Sequence, residues 1–124
     1  MKLLLDTHAA VWYLAADRRL GTAARSAIQS EANKTLLSAV VVWEIAIKRA
    51  LGKITVDPRY LGLLLDHGAE PLPISLEHAH AVESLPSHHS DPFDRLLIVQ
   101  AQAESATIVT QDPHIGAYGV PVLW

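Results

Sequence analysis

The chain of 124 residues contains no cysteine. That excludes disulfides, thiolate nucleophiles and thiolate-ligated zinc together, and makes the cytosol the default compartment. Long apolar runs are missing too. Met1-Lys2-Leu3-Leu4-Leu5 meets Asp6 directly, too short a stretch for a secretory signal. No segment approaches the ~20 uninterrupted apolar residues of a membrane-spanning helix, so no membrane partner is expected. Strong charge of one sign is also lacking: ten Lys and Arg against thirteen Asp and Glu give a net charge of −3. A basic excess would have pointed to nucleic acid. Its absence is silent rather than contrary, because carboxylates gathered on a cation would leave the remainder slightly basic.

What is present is apolar surface. Half the residues are hydrophobic and 19% are charged, which suits a single self-folding domain spanning residues 1–124. So high an apolar fraction in so small a domain leaves part of it to cover a partner surface.

Short β-like runs alternate with amphipathic stretches. Lys2–Leu5 reads as a strand, followed by helices over 8–16 and 23–32. Thr35–Leu37 is a short strand, and Ser38 is a good N-cap for a long apolar helix stopped by Gly52. Asp57-Pro58 opens a helix to Asp66, stopped by Gly68; residues 71–74 are extended, and Ser75 caps a helix to Leu85. A polar loop, 86–90, precedes a helix over 93–104. Thr107–Thr110 and Val120–Leu123 are the last strands, with Asp112-Pro113 an ordinary turn. The alternation predicts an α/β protein, a three-layer α/β/α sandwich with a mostly parallel central sheet. In such sheets the ligand crevice lies beyond the carboxyl ends of the strands.

Four acids fall where strands end or helices begin: Asp6, Glu44, Asp94 and Asp112. Each has a plain alternative. Asp6 suits a helix N-cap, Asp94 complements a helix dipole, and Asp112 suits a turn. Glu44 is harder to explain so, being the only charge in the run from Leu36 to Ile47. A buried carboxylate is costly unless paired or bound to a cation; its plain alternative is an i,i+4 pair with Lys48. Four carboxylates converging on one crevice repel, and a cation must relieve them. Oxygen donors without cysteine suit Mg²⁺ or Mn²⁺ better than zinc. The fitting chemistry is phosphodiester cleavage by metal-activated water, with no protein nucleophile.

Other residues are weighed against this set. Asp91, before Pro92, reads as an N-cap ahead of a metal role. Arg95 pairs with Asp91 or Asp94, or touches phosphate. Lys48, Arg49 and Lys53 form the densest basic cluster, a solvated helix end or a track for an RNA backbone. His88 and His89, with His8 or His114, offer a rival zinc site, while His78 and His80 read as surface. Trp12, Trp43 and Trp124 read as core or interface anchors.

The same residues resemble a known family. Leu4-Leu5-Asp6-Thr7-His8 with Trp12 is similar to the start of PIN-domain proteins, in particular toxin components of VapBC-type toxin–antitoxin pairs. Ser38-Ala39, Trp43 to Lys48 and Leu51-Gly52-Lys53 resemble the second block. His89, Asp91 to Leu97 and Gln100-Ala101 resemble the third; Thr110, Asp112 and the ending from Tyr118 to Trp124 resemble the last. The likeness runs through essentially the whole chain. It departs at Val42, where relatives often carry serine, and at Ser90 and Gln111, where they often carry a basic residue. The resemblance implies a Mg²⁺- or Mn²⁺-dependent endoribonuclease with Asp6, Glu44, Asp94 and Asp112 as its acidic set. It implies Asp6 and Asp94 as direct metal ligands, Thr7 and Thr110 as supporting hydroxyls, and Lys48, Arg49 and Lys53 as an RNA track. A homodimer and a cognate antitoxin, whose tail fills the groove, are implied as well. The rivals are a DNA nuclease or a phosphatase on the same acids, and a non-catalytic protein-binding module.

Overall fold

A computed structural model describes residues 1–124. Strand β1, Lys2–Leu5, is almost wholly buried, as a continuous apolar run requires when a sheet is covered on both faces. Asp6 ends it and caps α1, Thr7–Leu14, accepting from the Ala9 N–H. Helix α2, Thr22–Gln29, leads to β2, Lys34–Ser38. Ser38 closes β2 and caps α3, Ala39–Ala50, by accepting from the Val40 N–H, so strand passes to helix with no loop. Helix α4, Tyr60–Asp66, β3, Glu70–Leu72, and α5, Leu76–Ala81, follow. A 3₁₀ turn over Val82–Ser84 leads to the polar loop and to α6, Pro92–Glu104, capped by Asp91. The chain ends with β4, Thr107–Val109, α7, Pro113–Gly116, and β5, Val122–Leu123.

The sheet order is β3-β2-β1-β4-β5 and every pairing is parallel. The result is the expected three-layer α/β/α sandwich, with a sheet more uniformly parallel than expected. Leu4 pairs Leu36 on one side and Ile108 on the other. Leu3, Leu4, Leu5, Ile45, Ile98 and Ile108 form the centre of the core, each at most 1% exposed. Truncating one of these to alanine costs about 2–5 kcal/mol. The chain leaves β1 toward β2 and β3, then returns to β4 on the other side of β1. The switch point, where a crevice opens in such sheets, therefore lies beyond the ends of β1 and β4.

The differences from expectation have local causes. The helix expected from Ser75 to Leu85 breaks after Ala81 and tightens into the 3₁₀ turn, which no glycine or proline within it announces. Asp112-Pro113 is more than a turn: proline at the first helical position, with Asp112 capping through the His114 N–H, starts α7. The helix expected from Asp57-Pro58 begins only at Tyr60, because Asp57 closes an exposed turn with Arg59. His78 is not simply a surface residue. It completes a capping box with Ser75, and its Nδ1 lies 3.4 Å from Gln100 Nε2.

Candidate active site

At the switch point lies a cleft of about 140 Å³ with no hydrophobic residue in its lining. Asp6, Glu44, Asp94 and Asp112 all stand on its walls, with Asp91 beside them. Thr7, His8, Lys48 and Gln111 complete the lining. Residues separated by more than a hundred positions meet here because β1 and β4 are neighbours. A larger depression, about 450 Å³, lies at the opposite, amino ends of β2 and β3 and holds none of these acids.

Asp6 and Asp91 serve the capping role expected of them, and Asp112, expected only in a turn, caps a helix as well. In each the capping bond uses Oδ1. Capping and cation binding are compatible, since a carboxylate offers two oxygens and about four lone-pair positions. Glu44 is 7% exposed. Thr7 Oγ1 donates to its Oε1, and Lys48 Nζ, one helical turn on, reaches its Oε2 at 2.5 Å. The i,i+4 pair is thus formed, and it lies inside the cleft wall. Asp94 takes its place in the first turn of α6, its Oδ2 3.3 Å from His89 Nε2.

The electrostatics follow from burial. Burial pushes the Asp6 carboxyl above its ordinary range; the Thr110 hydroxyl, the Ala9 N–H and His8 oppose this, while Glu44 adds to it. Asp94 is pushed up to about 6, first by burial and then by the charge of Asp91. His89 opposes that rise, and Glu44 and Asp112 add to it.

The donors in the cleft are carboxylates and hydroxyls, a set that fits a hard divalent cation. Two acids held in water-poor surroundings against their neighbours' charge are what such a cation would relieve. As the side chains stand, no three His, Asp or Glu groups form a ready metal cage, and Glu44 is engaged by Thr7 and Lys48. A cation there would compete with Lys48 for Glu44.

Other expectations fare differently. Arg95 makes no pair with Asp91 or Asp94. Its guanidinium donates to the Pro86 carbonyl at 2.8 Å, to the Val82 and Leu85 carbonyls, and to Tyr118 Oη at 2.9 Å. It therefore holds the loop over 86–90. Arg49 and Lys53 are exposed beyond Glu44, as a basic helix end would be. Thr110 is buried, and its Oγ1 accepts from the Asp112 N–H. His89 and His114 stack in parallel at 5.5 Å without forming a zinc site, and His88 packs edge-on against Tyr118. Trp12 is buried against Trp124, whereas Trp43 is 52% exposed on α3 and packs edge-on against Phe93. Tyr118 is the hub of this corner; it belongs to the closing block of the resemblance, but nothing in the local sequence assigns its hydroxyl a partner.

A parallel α/β sandwich with a wholly polar, carboxylate-lined cleft at its switch point defines a class of acidic-site domains. The family follows from sequence: the PIN domain model matches residues 3–120, and the chain belongs to the PIN domain family. PIN domains are generally nucleases that use divalent metal ions. No curated protein matches the chain. Among solved structures, it is similar to VapBC2 from Rickettsia felis bound to a promoter DNA fragment, at 17% identity and a TM-score of 0.72, covering 100% of this chain and 98% of that one. It is also similar to FitAB bound to an IR36 DNA fragment, at 18% identity and a TM-score of 0.68 over 98% and 93% of the two chains. FitAcB from Neisseria gonorrhoeae is similar at 17% identity and a TM-score of 0.62, over 98% and 96%. No helix is long and apolar enough to cross a membrane.

Proposed function

We propose that this PIN domain is a Mg²⁺- or Mn²⁺-dependent endoribonuclease, the toxin of a toxin–antitoxin pair. The observation that carries the reading is the quartet Asp6, Glu44, Asp94 and Asp112 on the walls of one polar cleft. Asp6 and Asp94 are the direct ligands, with Glu44 and Asp112 completing the set and Thr7 and Thr110 orienting it. A bound divalent ion supplies an activated water and neutralises charge on the leaving oxygen. The chain's own part is to hold the acids close despite their repulsion. Thr7 fixes Glu44 by a hydrogen bond, helix caps fix Asp6 and Asp112, and burial of Asp6 and Glu44 weakens the screening of that pair. Lys48, Arg49 and Lys53 form the RNA track; Arg95 is left out because backbone carbonyls and Tyr118 already take its donors.

The toxin assignment draws on the likeness to the VapBC2 and FitAB complexes, together with the sequence blocks. The tail of the partner antitoxin fills the acidic cleft. A second copy of the chain covers the exposed face of α3, where Ala39, Trp43, Ala46 and Ala50 recur at helical spacing; a half-exposed tryptophan is the kind of anchor an interface uses.

The test is cleavage of labelled RNA by protein freed of any antitoxin. Cutting is expected with Mg²⁺ or Mn²⁺, stops in EDTA, and is lost in Asp6→Asn and Asp94→Asn variants that remain folded. Unchanged cutting in both variants sinks the site assignment. Cutting of DNA or a phosphomonoester but not RNA moves the activity to another substrate on the same acids. A wild type that cuts none of them is a binding module.

A further inference from the structure

We propose that His89 is a positioning residue for Asp94, held in the Nε2–H tautomer by the hydroxyl of Tyr118. The inference rests on the reading of Asp94 as a ligand for a divalent cation. It is carried by a chain of contacts running from Arg95 through Tyr118 and His89 to Asp94.

Arg95 Nη1 donates to Tyr118 Oη at 2.9 Å, and the His89 backbone N–H approaches the same oxygen at 3.3 Å. Both act as donors, so the phenol oxygen is the acceptor toward each, and its single proton is left to point elsewhere. Two acceptors are within reach: His89 Nδ1 at 2.8 Å and the His89 carbonyl at 3.4 Å. The shorter contact takes the proton. With Nδ1 accepting, the neutral ring carries its hydrogen on Nε2, which stands 3.3 Å from Asp94 Oδ2. The ring is therefore a donor to the carboxylate, fixed in place by a partner that is itself fixed by an arginine. The histidine side chain is 13% exposed and is sandwiched between Tyr118 and a parallel His114 ring, which limits its rotation.

Both ring nitrogens are engaged, so His89 is not a zinc ligand as it stands. A fixed ring donor also suits this cleft. It holds one oxygen of Asp94 against the repulsion of Asp91, Glu44 and Asp112 while leaving the cation's place in the cleft free. Outer partners of this kind typically set metal affinity by about 10–100-fold.

The experiment is a Mn²⁺ titration of the full chain by calorimetry, paired with ¹⁵N NMR of the histidine rings in the metal-free protein. NMR is expected to find His89 protonated on Nε2 in the wild type and mixed in tautomer in Tyr118→Phe. His89→Ala is expected to weaken Mn²⁺ binding about 10–100-fold, Tyr118→Phe to weaken it less, and His89→Gln to restore much of it, since the carboxamide nitrogen can replace the Nε2 donor. If the alanine variant does not fold, the glutamine and phenylalanine variants still decide. Wild-type affinity in His89→Ala, with binding lost in Asp94→Asn, overturns the positioning role and leaves the metal site standing. A wild type that binds no Mn²⁺ overturns the metal reading and the role built on it. An Nδ1–H tautomer in the wild type overturns the proposal independently of metal.

Discussion

Asp94→Asn should make the metal-free protein more stable and the enzyme inactive. The Asp94 carboxyl titrates at about 6 in the folded chain against an ordinary 3.8. Each tenfold gain in proton affinity corresponds to about 1.4 kcal/mol, which sets a ceiling of roughly 3 kcal/mol. The side chain is 21% exposed, and solvent screening reduces the expected figure to about 1 kcal/mol. The folded state binds the proton more tightly than the unfolded one. Stability from protonated Asp94 is therefore full below the ordinary carboxylate range and is lost as pH rises through 6. Asparagine keeps the volume, can still accept from His89, and removes the charge that Asp91, Glu44 and Asp112 oppose. Urea unfolding in EDTA, followed by tryptophan fluorescence, should place the variant above wild type by about 1 kcal/mol at pH 8, with the gap closing near pH 4. Adding Mn²⁺ should reverse the order, because only wild type gains the stabilisation of a bound ligand. A variant no more stable than wild type at pH 8 without metal would refute the claim that Asp94 is held in electrostatic conflict.

Three further outcomes test the surrounding structure. Thr7→Val removes the hydroxyl that donates to Oε1 of buried Glu44 and should cost about 1.5–3 kcal/mol in urea unfolding; a loss below ~0.5 kcal/mol would mean that Lys48, on Oε2, suffices to hold the carboxylate. Gln100, 0% exposed, accepts from Ser38 Oγ and donates to the Pro73 carbonyl at 3.2 Å. Gln100→Leu leaves both without their partner and should cost about 1–3 kcal/mol, measured by thermal unfolding; a neutral result would sink the view that this bond ties β2 to α6. A Cβ on Gly21 would stand 2.5 Å from the Trp124 carbonyl carbon. Gly21→Ala should therefore destabilise by about 1–3 kcal/mol and alter the fluorescence of the Trp12–Trp124 pair; an unchanged spectrum and midpoint would show that the carboxyl terminus moves aside freely.

Much of the fold was legible because its signals are local. Lys2–Leu5 is a buried strand by its unbroken apolar run, and Ser38 and Gly52 bracket α3 by capping chemistry that any helix end requires. Glu44 stood out because a lone charge among apolar neighbours has few stable fates. The 3₁₀ turn at Val82 and the short α7 were not legible, since neither carries a periodic pattern long enough to read. Arg95 has acid as its nearest chemical complement in sequence, whereas the carbonyls that hold it come from the 3₁₀ turn and the start of the polar loop, folded back over it.

The sequence by itself determined which residues are acids, which runs are apolar and where helices can begin, because propensity, capping and hydrophobic period act within a few residues. The convergence of Asp6, Glu44, Asp94 and Asp112 on one cleft was decided by tertiary structure. It depends on β4 returning beside β1, a pairing across about a hundred residues that no local preference specifies. The same holds for Tyr118. Only the packed corner gives its hydroxyl a donor on one side and a histidine nitrogen on the other, and with them a part in how Asp94 is held.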